Sequence, residues 1–187
     1  MDSKQRTLGK IIQDIMSSVL LALCIAVILR VFFIEAFFIP SSSMEDSFKP
    51  GDQILTWKFL YNRHIPFVKI RFPIGDSIDR GDVIVFKLKD RDDWYIKRVI
   101  GLPGDIVHLK GDQLMINGKL LRELYVKNKD NIFYLNSIYE VPENKVFVLG
   151  DNRNNSGDSR EFGYVPTESI IGKVFFIYYP FTRVKFF

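Results

Sequence analysis

Tyr95-Ile96-Lys97-Arg98-Val99-Ile100-Gly101-Leu102-Pro103-Gly104-Asp105 reads as a strand that stops in a tight turn. The strand is predicted over residues 94–100, rich in β-branched and aromatic side chains. In the last four residues, proline fixes the first central φ and glycine accepts a positive second φ, the type II pattern. Lys49-Pro50-Gly51-Asp52 has the same form. Working outward, residues 82–88, 145–149 and 174–179 read as further strands. Met115-Ile116-Asn117-Gly118-Lys119-Leu120 reads as a hairpin about an Asn-Gly turn. Residues 59–79 mix basic and apolar groups with prolines and are expected to form a long excursion. The apolar run at 174–181 is too short to span a bilayer, so a buried final strand is expected. No stretch after residue 35 holds a helical period over three turns. The fold class that follows is mainly β, behind one helix.

That helix is the apolar segment at residues 15–34, whose single charge is Arg30. A helix of about 20 residues rises about 30 Å, the thickness of a bilayer hydrocarbon core. Lys4, Arg6 and Lys10 precede it, which predicts a cytoplasmic N-terminus with the rest of the chain outside. Arg30 and Glu35 would mark the far interface, where Phe32, Phe33, Phe37 and Phe38 suit a headgroup boundary. A cleaved secretory signal fits the basic and apolar regions but lacks an A-x-A site near residues 30–40.

The chain has 187 residues, is 47% hydrophobic and carries a net charge of +4. It is long enough for one domain and an anchor, and too weakly basic to argue for nucleic acid. Its one cysteine, Cys24, lies inside the apolar segment and excludes an intramolecular disulfide. G-x-S-x-G, H-E-x-x-H and P-loop patterns are absent. His64 and His108, the only histidines, sit in no polar cluster. Neither metal nor other cofactor is expected.

What remains is serine with lysine. A serine hydroxyl needs a base, and lysine serves only when neutral. At a free pKa near 10.4, neutrality at pH 7 costs about 4.6 kcal/mol unless burial lowers that pKa. Alternate strand residues share a face, so Tyr95, Lys97 and Val99 would point one way while Arg98 points away. The same spacing also fits a solvated Lys-Arg pair on an edge strand.

Three blocks carry a family resemblance: Ile39-Pro40-Ser41-Ser42-Ser43-Met44, the Lys97 stretch, and Gly150-Asp151-Asn152-Arg153-Asn154-Asn155-Ser156-Gly157-Asp158-Ser159-Arg160. With Arg80-Gly81-Asp82-Val83-Ile84-Val85-Phe86 and the preceding span, they cover nearly the whole chain. In this order they resemble bacterial type I signal peptidases, membrane-bound serine proteases that remove signal peptides from exported preproteins. The resemblance implies Ser43 as nucleophile and Lys97 as general base. It implies an oxyanion hole from the Ser43 amide and the Ser41 hydroxyl, and Ser156 orienting the lysine amine. Asp158 and Arg160 would form a supporting ion pair, with Gly150, Asp151 and Asn152 as a structural turn. Phe37, Ile39, Pro40, Val85 and Ile96 would line pockets for small residues at −1 and −3 of a substrate bound as an added strand.

The resemblance implies an antiparallel β-sheet catalytic domain with a small inserted β subdomain. The expected division is 1–34 for the N-terminus and transmembrane helix, 35–104 and 145–187 for the catalytic domain, and 105–144 for the insert. Expected partners are secretory preproteins, membrane lipid and the protein-export machinery. The expected state is a monomer in the bacterial cytoplasmic (inner) membrane. The chain departs from the family after the nucleophile: the usual Met-x-Pro-Thr-Leu is Met44-Glu45-Asp46-Ser47-Phe48. Phe48 is expected to enlarge a pocket-side group. A non-catalytic binder of exported chains, or a related peptidase with one special substrate, is the alternative.

Overall fold

The computed structural model describes residues 3–45, 47–58, 78–89, 93–126 and 132–187, with side chains from residue 9 onward. Most of the excursion expected at 59–79 lies outside these residues, as do His64 and Asp46. Helix α1 runs Ser3–Ile28 and continues as a π-helical turn, Leu29–Phe33. Within Gly9–Phe33 an 18-residue window has a mean hydropathy of 2.6, and none of that window is buried. By length and composition this helix can cross a membrane. Ile34 ends the apolar segment by opening a strand, β1 (Ile34–Phe38).

The remainder is antiparallel sheet. β2 is Gln53–Trp57, β3 Val83–Lys87, β4 Trp94–Gly101, β5 Ile106–Gly111 and β6 Gln113–Ile116. β7 is Lys119–Leu120, β8 Tyr134–Glu140 and β9 Lys145–Leu149. Helix α2 (Ser159–Phe162), β10 (Val165–Pro166), β11 (Ile170–Tyr179) and β12 (Lys185–Phe186) complete the chain. One sheet has the order β1-β2-β11-β3-β4-β9-β10, with β12 also paired to β11. The other has the order β7-β6-β5-β8. The apolar C-terminal run is thus an interior strand, β11, between β2 and β3.

β3 explains how the larger sheet is held. Val83, Ile84, Val85 and Phe86 are apolar without interruption, as a strand buried on both faces requires. Val83 and Val85 join a core with Ile39, Met44, Phe48, Ile54 and Ile177. Ile84 and Phe86 join another with Val99, Val146, Val148, Val165 and Ile170. The third core binds the two sheets together: Ile100, Phe147 and Leu149 pack against Val107, Leu109, Leu114 and Ile116. Gly101 permits that contact, since a Cβ there would stand 2.7 Å from a Val107 methyl.

Turn chemistry recurs at three strand starts. Gly51 (φ 96°), Gly81 (φ 98°) and Gly104 (φ 83°) each precede an aspartate. Each aspartate closes its turn through its own N–H: Asp52 to Lys49 O, Asp82 to Asp79 O and Asp105 to Leu102 O, at 3.0–3.1 Å. Each also accepts, on its carboxylate, the amide of that first turn residue. A distant cation then pairs with it: Arg183 with Asp52, Lys173 with Asp82, Arg80 with Asp105. The predicted Asn-Gly hairpin joins β6 to β7, with φ 52° at Asn117 and 77° at Gly118, as a type I′ turn needs.

Candidate active site

Ser43 lies in a single 3-10 turn, Ser42–Met44, just beyond β1. Two anchors fix this turn. Ile39 and Met44 are buried on either side of it, and the Ile39 amide and carbonyl bond to Asp52 O and the Gly51 amide, both at 2.9 Å. From the far end of the chain, the Asn152 amide donates to Ser43 O at 3.1 Å. Asn152 Nδ2 donates to Ser42 O at 3.1 Å, and Asn155 Nδ2 to Ser42 Oγ at 3.0 Å. Residues more than a hundred positions apart thereby hold the serine loop from beneath.

Lys97 comes from β4, opposite Ile84 on β3. It is only 4% exposed, and its Nζ donates to Ser43 Oγ at 2.7 Å. Burial pulls its pKa from 10.5 to about 8, against the opposing pull of the Asp158 and Asp151 carboxylates. At a pKa near 8, a neutral amine at pH 7 costs about 1.4 kcal/mol, a cost catalysis tolerates. The Ser41 hydroxyl stands 3.3 Å from Ser43 Oγ. Lys97 is therefore neither solvated nor on an outer edge.

Arg98, its neighbour, is not solvated either. It is buried and grips Asp151 through Nε (2.8 Å) and Nη2 (2.6 Å). It also donates to Gly81 O and Ser47 Oγ. The ring of Tyr125, from the loop after β7, lies 4.0 Å from its guanidinium carbon. That loop also supplies Glu123, which forms a buried pair with Arg153 through both carboxylate oxygens. Arg153 further donates to Tyr134 Oη at 2.6 Å and to Gly150 O at 3.0 Å. The smaller sheet thus reaches the floor of the site. Local sequence carries no signal for Glu123 or Tyr125, since a loop carboxylate and a tyrosine are ordinarily solvated.

The Gly150–Arg160 block forms that floor. Asp158 is fully buried, accepts the Gly150 amide at 3.0 Å and is held by Arg160 through two bonds of 2.8 Å. A Cβ on Gly150 would fall on the Ser156 hydroxyl and 2.5 Å from Ser43 O. Ser156 Oγ is buried without a hydrogen-bond partner, so the geometry includes no bond from it to Lys97. Phe48 is fully buried and stacks on Phe187 at 4.6 Å. It is a core residue beneath the serine loop and does not line the cleft, which differs from the expected pocket-side position. Ser47 keeps its hydroxyl as the acceptor for Arg98.

A cleft of about 870 Å³ opens over Ser43 and Lys97. Phe37, Ile39, Pro40, Val85 and Ile96 all line it, together with Trp94, Tyr95 and Asn155. No group of three or more His, Cys, Asp or Glu residues suited to a metal occurs among the described residues. His108 bonds to Asn136 on the surface, away from the cleft.

A buried amine beside a serine hydroxyl, at the mouth of a cleft, is the equipment of a serine hydrolase. Residues 12–179 match the family described as "Signal peptidase, peptidase S26". A probable signal peptidase I-2 of Synechocystis is 38% identical, over 87% of this chain and 71% of the relative. Signal peptidase I S of Bacillus subtilis is 34% identical, over 99% of this chain and 98% of the relative. A crystal structure of a signal peptidase I from Enterococcus faecalis is 36% identical, covering 52% of this chain and 97% of that one, with a TM-score of 0.48. The chain belongs to the signal peptidase family, peptidase S26. It is a serine peptidase of the signal peptidase I kind, acting on preproteins that carry signal peptides.

Proposed function

We propose that Ser43 and Lys97 are the catalytic pair that cuts signal peptides from exported preproteins. The observation that carries this is the 2.7 Å contact between Lys97 Nζ and Ser43 Oγ inside a buried setting. Neutral Lys97 takes the hydroxyl proton as Ser43 Oγ attacks the scissile carbonyl. The Ser43 amide and the Ser41 hydroxyl stabilise the oxyanion. The Lys97 ammonium then gives its proton to the departing amine, leaving an acyl group on Ser43. Water, deprotonated by Lys97, hydrolyses that ester. Ser156 has a buried, uncommitted hydroxyl, which is available to orient the amine during turnover. Asp158 with Arg160, and Gly150, Asp151 and Asn152, hold the floor.

The substrate binds as an added strand along the cleft. Phe37, Ile39, Pro40, Val85 and Ile96 form the pockets for small residues at −1 and −3. The apolar helix anchors the chain in the cytoplasmic membrane, with the basic N-terminus inside and residues 35–187 outside. Residues 105–144 are an insert into a catalytic domain built from 35–104 and 145–187. The protein acts as a monomer, alongside the export machinery.

The test is cleavage of an exported preprotein in detergent or lipid by wild type, Ser43→Ala and Lys97→Met. Each variant is expected to lose about a thousandfold or more in kcat/KM. Undiminished cleavage by either would remove the assignment.

A further inference from the structure

Three ion pairs lie beneath the serine loop: Arg98 with Asp151, Arg160 with Asp158, and Arg153 with Glu123. The first two draw their carboxylates from the Gly150–Arg160 block itself. The third does not. Glu123 comes from the loop after β7, in the smaller sheet, and is only 6% exposed. Its Oε2 accepts Arg153 Nη1 at 2.7 Å and its Oε1 accepts Nη2, a two-point grip that sets the plane of the guanidinium. Oε1 also accepts the Tyr125 hydroxyl at 2.6 Å. Val126, buried in the core shared by the two sheets, pins the loop one residue further on. Held in that plane, Arg153 turns its Nε to the Gly150 carbonyl at 3.0 Å. Asp158 accepts the Gly150 amide, also at 3.0 Å. Gly150 is therefore clamped at both of its polar atoms. It abuts the Ser43 carbonyl so closely that a Cβ would stand 2.5 Å from that oxygen.

Desolvation offsets much of the attraction within a buried ion pair, so such a pair explains little of a protein's stability. Apolar groups of the same volume would fill the space as well. What they would lack is an N–H aimed at the Gly150 carbonyl. We propose that Glu123 is a positioning residue for the reaction: through Arg153 and Gly150 it fixes the Ser43 loop within hydrogen-bonding reach of Lys97. This rests on the proposed reading of Ser43 and Lys97 as the catalytic pair. The smaller sheet then takes part in catalysis, its loop acting as a strut under the nucleophile. Glu123→Gln would set an amide NH2 against the N–H groups of Arg153, turning the guanidinium and depriving the Gly150 carbonyl of its donor. Displacing reacting groups by about 1 Å costs up to about a hundredfold in rate. The cleft walls on β1 and β4, where the substrate strand is read to bind, would keep their shape.

The experiment measures kcat and KM separately, on a preprotein with alanine at −1 and −3, for wild type, Glu123→Gln, Glu123→Asp and Leu124→Ala. Circular dichroism and a urea titration establish that each variant is folded under the assay conditions. In Glu123→Gln, kcat is expected to fall about tenfold or more while KM stays within about twofold. Glu123→Asp keeps the charge but draws it back by one methylene, so its kcat should lie between the two. Since it leaves no cation unpaired, it carries the test if Glu123→Gln does not fold. Leu124 is in the same loop but 79% exposed, and Leu124→Ala should match wild type. A role confined to stability would lower the urea midpoint and leave the kcat of the folded enzyme unchanged. That result, or a KM that rises as much as kcat falls, would overturn the assignment of Glu123. Ser43→Ala is run on the same substrate as a separate control. If it cuts as fast as wild type, the site reading itself falls; if it does not, an unmoved kcat in the Glu123 variants condemns Glu123 alone.

Discussion

Arg98 follows Lys97 on β4, yet its guanidinium closes a buried ion pair on Asp151 at 2.6 Å. One strand therefore sends two adjacent cations into the interior for different purposes: one paired, the other with its charge disfavoured. The pair fixes the turn after Gly150, whose next amide, that of Asn152, holds the Ser43 carbonyl. Asp151→Asn would leave the Arg98 charge buried without its counterion. The expected loss is about 3–5 kcal/mol, read as a lower urea midpoint with an unchanged denaturant slope.

The lowered pKa of Lys97 sets the pH dependence of the reaction. Its neutral fraction grows as pH rises through about 8. Log kcat/KM should climb with a slope near one below that value and level off above it. A profile flat from pH 6 to 9 would exclude an amine of this acidity as the base.

The same shift has a consequence for stability, with a definite sign. Lys97 binds its proton more weakly folded, at about 8, than unfolded, at 10.5. The folded state is therefore penalised fully below pH 8, and the penalty fades as pH approaches 10.5. Lys97→Met removes it. The variant should be more stable than wild type at pH 7, by up to roughly 3 kcal/mol, and this advantage should disappear near pH 10.5. Denaturant titrations at the two pH values measure it.

Gly150 has no room for a side chain between Ser156 and the Ser43 carbonyl. Gly150→Ala should cost about 1–3 kcal/mol by overpacking and lower kcat more than it raises KM. Gly104→Ala is strained only by its positive φ, in open space. It should cost stability without altering kcat.

The strands and turns were readable where the chain is locally consistent. Lys49 to Asp52, Leu102 to Asp105 and Asn117-Gly118 adopt the turns their prolines and glycines demand. β1 and β2 escaped notice because Ile34 to Phe38 continues the apolar composition of the helix, and Gln53 to Trp57 is short. Ser43 and Lys97 stood out through their blocks, since spacing alone favours a solvated Lys97. The supporting charges were hidden for a different reason. Glu123 and Arg153 are 30 residues apart in two separate loops, and only tertiary packing makes two such groups partners. The burial of Phe48 was equally invisible, because its stacking partner, Phe187, lies 139 residues further along the sequence.

The central claim is that Ser43 carries the acyl group while Lys97 manages the proton. The most direct measurement is intact-protein and peptide mass spectrometry of the enzyme, acid-quenched during turnover of a peptide ester with alanine at −1 and −3. The account predicts one acyl adduct, on the fragment containing Ser43, with none in Ser43→Ala and far slower formation in Lys97→Met. An adduct on another residue, or brisk turnover by Ser43→Ala, would contradict it.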